Sequence, residues 1–435
     1  MLADDRLSLY IHIPFCTLKC SYCDFNSYAG IEALMRPFVD ALCDEMRLWG
    51  GVLRGRRVET VFFGGGTPSL LPLEEVGGIM AAMQEAFDLA PGAEVSFEAN
   101  PGTIDHDYFR GLLGAGVNRI SFGVQSFHDD ELAALDRIHS AEEAKDAYRW
   151  AREAGFERIN LDLIYGLPNP GAPLIPSIPQ DEREEASRES MERWQATLEQ
   201  AIALGPEHLS LYALTVEEGT KLAHDIERGR APAPDGDMQA AMYEWSSERL
   251  AAAGYAQYEI SNWCRPGEEC RHNLVYWRNG EWLGLGPGAH SHLLDLRSCR
   301  PSGLPAGPGG VSARFADVYS PKQYIARVNE TVKLPANGSG DLQAVLESMG
   351  QVTFVEEQTA EMEMADTAIL GLRLNEGLDV GGFELRFGRG LNEVYGPVLT
   401  ETAAFGLLER ENGRVRLTER GRLLANEVFV RLLPD

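Results

Sequence analysis

Short apolar runs return at intervals through the first half of the chain: LSLYIHI from Leu7, VETVFFG from Val58, EVSFEAN from Glu94, NRISFGVQ from Asn118, RINLDLIYG from Arg158 and EHLSLYAL from Glu207. Each is rich in Val, Ile, Leu or Phe, as strands are. Between them the period changes. MRPFVDALCDEMRLWG and AEEAKDAYRWAREAG are patterned as helices, and the second stops on Gly155, a residue suited to a helix C-terminus. Strand, helix, strand at this pace predicts βαβ units and a parallel sheet of the α/β class. Six units with polar residues gathered just past the strand ends suit a partial (β/α)6 barrel whose chemistry sits at its C-terminal face. A doubly wound open sheet is the competing topology.

The second half is less regular. Residues 169–190, NPGAPLIPSIPQDEREEASRES, are Pro-rich and then charge-rich, which reads as an exposed insertion. CRPSGLPAGPGGVSARF from Cys299 and LPANGSGD from Leu334 loosen the middle of the chain. From about Glu361 helical periodicity returns, and the tail closes with GLLERENGRVRLTERGRLLANEVFVRLL: a helix, a strand pair around Asn-Gly, and a helix, as in a small winged-helix-like domain. The expected division is a barrel over 1–220, a middle region over 221–334, a linker or insertion over 335–360, and the winged-helix-like domain over 361–435. The barrel is thus followed by a C-terminal α+β extension and the small winged-helix-like domain.

Charge narrows the partners. A formal net charge of −27 repels polyanions. Six arginines against five acidic residues from Gly406 to Asp435 make no phosphate-tracking patch. A winged fold here is expected to pack, close a cleft or meet a protein, and no nucleic-acid partner is expected. MLADDRLSLYIHIPFC has acidic residues where a signal peptide needs positive charge, and no apolar run reaches the ~18 residues of a spanning helix. A soluble cytoplasmic protein is expected, with peripheral membrane contact and homodimerisation left open.

Seven cysteines cannot all pair, and three of them, Cys16, Cys20 and Cys23, fall within YIHIPFCTLKCSYCDF directly behind the first strand. Closely spaced thiolates on a compact loop are ligands for an iron–sulfur cubane, and three of them leave one of four irons open to an exchangeable ligand. Other readings remain. CSYC alone could be a redox dithiol, which leaves Cys16 idle. A structural zinc wants a fourth ligand, and the nearest, His12, lies on the strand itself. Inert buried cysteines are common, though not three in eight residues. Among the rest, Cys264, Cys270 and His272 on CRPGEECRH fall short of a four-ligand zinc pattern, and Cys43 reads as core.

C-x3-C-x2-C after the first strand, with an aromatic before the third cysteine, resembles the signature of the radical S-adenosylmethionine (SAM) superfamily. GGGTPS at Gly64–Ser69 resembles its glycine-rich stretch for the methionine amino group, where backbone is left uncovered by side chains. YIHIPFC, FEANPG, RISFGVQSF, NLDLIYGLP and LSLYALTVEEGT together resemble the branch that holds the oxygen-independent coproporphyrinogen III oxidases and their relatives, the HemW haem chaperones. The resemblance implies a [4Fe–4S] cluster on Cys16, Cys20 and Cys23. It also implies SAM contacts at Tyr10, Tyr22, Gly65, Gly66, Thr67, Glu98, Gln125, Arg137, Asp162, Ile164 and Ala213. Carboxylates suit ribose hydroxyls or an amino group, and an arginine suits a carboxylate.

Two departures from the oxidases bear on activity. Their fourth cysteine position is Phe25 here, and only nine residues precede Tyr10 where they carry a longer extension. HemW-type sequences share both departures and add H-N-x-x-Y-W, present as HNLVYW: His272, Asn273, Tyr276 and Trp277. An imidazole can ligate haem iron and flat rings can face a porphyrin, so His272, Tyr276 and Trp277 are the haem candidates. The resemblance therefore implies a haem chaperone that binds haem as cargo and delivers it to apo-haemoprotein clients, rather than a coproporphyrinogen III dehydrogenase. Radical chemistry on another tetrapyrrole is a third reading.

Overall fold

The computed structural model describes residues 6–168, 180–294, 312–332 and 342–434. The Pro-rich half of the expected insertion, Cys299 with its surrounding stretch, and residues 333–341 lie outside the described residues.

All six expected strands form: β1 (Arg6–Ile13), β2 (Arg57–Gly65), β3 (Asp88–Ala99), β4 (Arg119–Gln125), β5 (Ile159–Tyr165) and β6 (His208–Ala213). They lie side by side in sequence order, each parallel to the next. The crossovers are α1 (Met35–Val52), α2 (Leu73–Ala86), α3 (His106–Ala115), α4 (Ala141–Ala154) and α5 (Gln180–Leu204). Local signals set their ends. Ser140 and Glu143 form a capping box at the start of α4, and Gly155 closes it at φ 110°. The charge-rich residues from Gln180 onward, expected as part of an exposed insertion, instead open α5. Their Glu, Arg and Ala content favours a helix, whose later turns bury Trp194 and Leu198.

One apolar face of each strand packs against these helices: Leu9 and Ile11 on β1, Ile120 and Phe122 on β4, Leu161 and Leu163 on β5, and Leu209 and Leu211 on β6 are fully buried in one continuous core. The opposite faces of β4, β5 and β6 are polar at alternate positions, with Ser121, Asn160, Asp162 and Ser210 turned to the barrel interior.

The barrel stays open, because neither end strand pairs with the other. Past β6, α6 (Gly236–Ala252) leads to a hairpin of β7 (Ala256–Glu259) and β8 (Asn262–Cys264), and β8 runs antiparallel to β6. After α7 (Arg271–Trp277), β9 (Trp282–Leu285) pairs parallel with β1 on its other edge. Antiparallel strands β10 (His290–Leu293), β11 (Ser312–Asp317) and β12 (Val352–Gln358) extend that side, with α8 (Pro321–Thr331) between the last two. Twelve strands thus form one sheet. The end of the expected linker, 352–358, is its edge strand, built from an apolar-rich stretch with Phe354 and Val355 about half exposed.

A second core gathers α9 (Ala360–Leu372), α10 (Val380–Phe387) and α11 (Leu391–Ala404) over three short strands, β13 (Leu378–Asp379), β14 (Leu408–Glu411) and β15 (Arg414–Leu417). The β14–β15 hairpin turns on Asn412 and Gly413, both at positive φ. No described helix is long and apolar enough to cross a membrane.

Candidate cofactor cleft at the mouth of the barrel

Where β1 ends, Phe15–Cys16 pairs parallel with Tyr28–Ala29, closing a loop that carries Cys20 and Cys23 over the barrel mouth. Cys16 is buried at its root, and the other two are half-buried. Arg137 ties the loop down: its guanidinium donates to Cys20 Sγ at 3.5 Å and to the Gly123 carbonyl at 2.6 Å. Cys16 Sγ lies 3.6 Å from Thr67 Oγ1. All three cysteines border one cavity with Gly65, Gly66, Thr67, Glu98, Gln125, Arg137 and Asp162. A second cavity shares Tyr22, Cys23, Glu98, Gln125 and Asp162 with the first and continues to Ile164 and Ala213. Ten of the eleven expected SAM contacts therefore border one continuous cleft. Tyr10 does not border it. Its hydroxyl bonds His12 Nδ1 at 3.0 Å, and its ring packs on Phe62 behind the wall.

The glycines also serve local packing. Gly66 N–H is not bare: it donates to Ile13 O at 2.8 Å, and Thr67 N–H donates to Phe15 O at 2.7 Å. A Cβ on Gly66 would come within 2.6 Å of Phe15 O and 3.1 Å of Cys16 Sγ. Gly65, at φ 109°, would meet the His12 ring at 2.6 Å. Glycine here lets the β2 turn approach the root of the cysteine loop.

Burial, with the nearby charge of Asp162, pushes Glu98 up to about 8, so its carboxyl is neutral at pH 7. Burial raises Asp162 too, against hydrogen bonds from Asn160 and Ser121. Three soft sulfur donors around a shared space, beside a cation, fit an iron–sulfur cluster. Among the described residues no three His, Cys, Asp or Glu side chains converge to hold a single metal ion. Cys264 and Cys270 are buried elsewhere, the latter against Glu94.

The HNLVYW stretch is α7, whose first N–H groups, of Arg271 and His272, donate to Glu94 at 3.2 and 3.0 Å. His272 is fully buried, with Nδ1 2.8 Å from Thr60 Oγ1, Nε2 2.9 Å from the Tyr276 hydroxyl, and its ring stacked on Phe62. Burial pushes its pKa down to about 4. In this conformation neither ring nitrogen is open to an iron. Nor do the three haem candidates share one surface. Tyr276 faces His272 and Trp282, while Trp277 turns to Arg373, 4.5 Å from its ring, and borders a cavity against Phe383 and Arg386 of the second core. The motif residue that does border the barrel cavity is Asn273. Arg119, Ser121, Asn160 and Ser210 border it too and were not singled out from sequence. Their signal was period-2 alternation within NRISFGVQ, RINLDLIYG and EHLSLYAL, where polar residues share the face opposite the apolar ones.

The family model "Radical SAM superfamily" matches residues 10–171, and "HemN C-terminal domain" matches 358–424. "Heme chaperone HemW" of Mycobacterium tuberculosis is 38% identical over 428 residues, covering 98% of this chain and 94% of the relative. The protein of the same description in Escherichia coli is 43% identical over 289 residues, 66% of this chain and 70% of the relative. The solved coproporphyrinogen III oxidase of Escherichia coli superposes with a TM-score of 0.74 at 24% identity, covering 98% of this chain and 89% of that one, a likeness of fold. Membership of the superfamily implies SAM and an iron–sulfur cluster. At 38% identity over 98% of its length to the Mycobacterium tuberculosis relative, the chain belongs to the HemW heme chaperone family, built on a radical SAM scaffold.

Proposed function

We propose that this protein binds haem and passes it to apo-haemoproteins in the cytoplasm, on a scaffold that holds a [4Fe–4S] cluster and SAM at the barrel mouth. The observation that carries the reading is the extent of the likeness to heme chaperones. It runs over 98% of the chain, and so takes in both the cysteine loop and the HNLVYW helix. Likeness of fold to the oxidase does not carry decarboxylation in the same way.

In this reading Cys16, Cys20 and Cys23 hold the cluster, which with SAM supplies one-electron chemistry when bound. Arg137 donates to Cys20 Sγ and braces the loop through the Gly123 carbonyl. Glu98, neutral at pH 7, donates a proton to a hydrogen bond where an ionised carboxylate would only accept. Gln125 and Asp162 offer further polar partners, and Tyr22, Ile164 and Ala213 line the flatter side of the cleft. Phe25, 60% exposed, borders both parts of the cleft and offers an apolar face to a planar ligand at its mouth.

Anaerobic reconstitution, a haem titration and a turnover assay with coproporphyrinogen test the reading together. Saturable haem binding without porphyrinogen oxidation is expected, and oxidation with no haem binding would overturn it. Cys16→Ala, Cys20→Ala or Cys23→Ala should each abolish the cluster absorption, whereas Cys264→Ala, remote from the loop, should keep it.

A further inference from the structure

Below the cofactor cleft the barrel stays hollow. A cavity of about 440 Å3 runs from the rim past Glu98 and Asp162 to Arg119, Ser121, Asn160 and Ser210, with Phe62 and Asn273 among its walls. Tyr212, although on a central strand, is 42% exposed because it faces this space. Much of the inner lining is internally satisfied. Asn160 donates to Asp162 and to Ser121 at 2.8 Å each, and its carbonyl accepts from His208 at 2.6 Å and from Ser210 at 3.1 Å.

Two groups are not. Arg119 is 2% exposed, yet its guanidinium makes no hydrogen bond or close ion pair with any described residue. The Glu94 charge that faces it is committed elsewhere, to Arg158 at 2.8 Å, to Arg271 at 3.8 Å and to two backbone N–H groups of α7. Three guanidinium groups thus surround one carboxylate, and Arg119 is the one that borders the cavity. The side-chain amide of Asn273 likewise makes no hydrogen bond with a described residue and borders the same space. Buried polar groups are nearly always paired, and a guanidinium fork without a partner is costly unless something supplies one. Its planar set of donors matches a carboxylate through two parallel bonds. Glu98, raised to about 8, is mostly in its neutral form at pH 7 and so adds little repulsion to an arriving anion.

We propose that the inner end of this cavity is a carboxylate-binding subsite, in which Arg119 takes the carboxylate through its fork and the Asn273 amide supplies a further donor. Two molecules could bring that group. Under the haem reading, on which this choice of source rests, it is a propionate arm, and SAM carries the other carboxylate.

The affinities of wild type, Arg119→Met and Asn273→Leu for haem, for haem dimethyl ester and, after reconstitution, for SAM separate these cases, with circular dichroism checking the fold. We expect wild type to bind the ester roughly tenfold more weakly than haem, and Arg119→Met to lose roughly tenfold in haem affinity while its ester affinity stays, each a difference of ~1.4 kcal/mol. Asn273→Leu should weaken haem in the same direction. A comparable loss confined to SAM supports the subsite and makes SAM the source. Equal binding of haem and ester by wild type, with SAM affinity unchanged in both variants, overturns the subsite while the haem function stands. Absence of haem binding by wild type overturns the haem reading, and the SAM arm then decides the subsite. Should Arg119→Met not fold, the ester comparison in wild type and the Asn273→Leu variant separate the same outcomes.

Discussion

His272 has both ring nitrogens committed, so its removal is felt by its neighbours first. Replacement by Ala strands the hydroxyl of Tyr276, takes one of two partners from that of Thr60, which keeps its bond to Ser8, and opens a void behind Phe62. A loss of roughly 2–4 kcal/mol of stability is expected, read from chemical denaturation. Haem bound by the variant should keep the Soret position of the wild type, and a shifted band would restore His272 as a ligand. A histidine whose folded pKa is about 4 against 6.5 unfolded stays neutral in the fold, so its contribution is complete above pH 6.5 and is lost as pH falls toward 4. Wild type should therefore lose more stability than His272→Ala over that interval. At this scale the cysteines and the GGGTPS glycines were legible, because each motif is contiguous along the chain. Arg119 was not, because it shares a cavity with Asn273 of the HNLVYW motif only once the distant segments bearing them are folded around the barrel interior.

At the scale of elements, the parallel strands were readable because each is a long apolar run with an alternating polar face. The reason for their glycines was not, since it lies in the approach of the β2 turn to the end of β1. Gly66→Val should therefore strike the cluster before it strikes SAM: the added carbons collide with Phe15 O and Cys16 Sγ. Lower iron content per chain after reconstitution is expected. Full cluster loading with SAM affinity alone reduced would return the glycine to a role at the ligand. A second test belongs to the seam between α1 and β11, where Glu45 and Asp317 are buried together. Glu45 accepts from the Tyr324 hydroxyl at 2.6 Å, from Gly286 N–H at 3.0 Å and from Gln351 at 3.2 Å, and it also bonds Asp317. Burial and then the charge of Glu45 raise Asp317 well above 3.8, so it is protonated in the fold where the unfolded chain ionises. Its stabilising contribution is complete below about pH 4 and fades as pH rises toward the raised value. Asp317→Asn keeps the shape without the ionisable proton, and should flatten the decline of stability as pH rises above about 4, measured by urea unfolding. An unchanged slope would remove Asp317 as its source.

The whole molecule is held by contacts that no local pattern announces. β9 reaches β1 across most of the chain, pairing Trp282 with Ser8, and the short strands around it have too few residues to show a period. The second core is tied to this sheet through Glu363 on α9. Its carboxylate accepts from Arg386, from Asn279 Nδ2 at 3.0 Å, from Ser312 Oγ at 3.0 Å and from His292 Nε2 at 3.3 Å. Burial opposes the charge, but His292 and Arg386 hold the carboxyl down to about 2. Because that lies below the usual 4.5, the contribution is present above pH 4.5 and is lost as pH falls toward 2. Glu363→Gln keeps the shape but leaves Arg386 without its charge, at a cost of roughly 2–3 kcal/mol. The damage should be regional, since α9 meets β10 and β11 through this residue, whereas among the described residues Cys16, Cys20 and Cys23 make no hydrogen bond with Glu363 or its partners. Hydrogen exchange is expected to quicken in α9 and α10 with cluster loading unchanged. Uniform quickening through β1–β6 would instead mean that the second core is an inseparable part of the barrel's own stability.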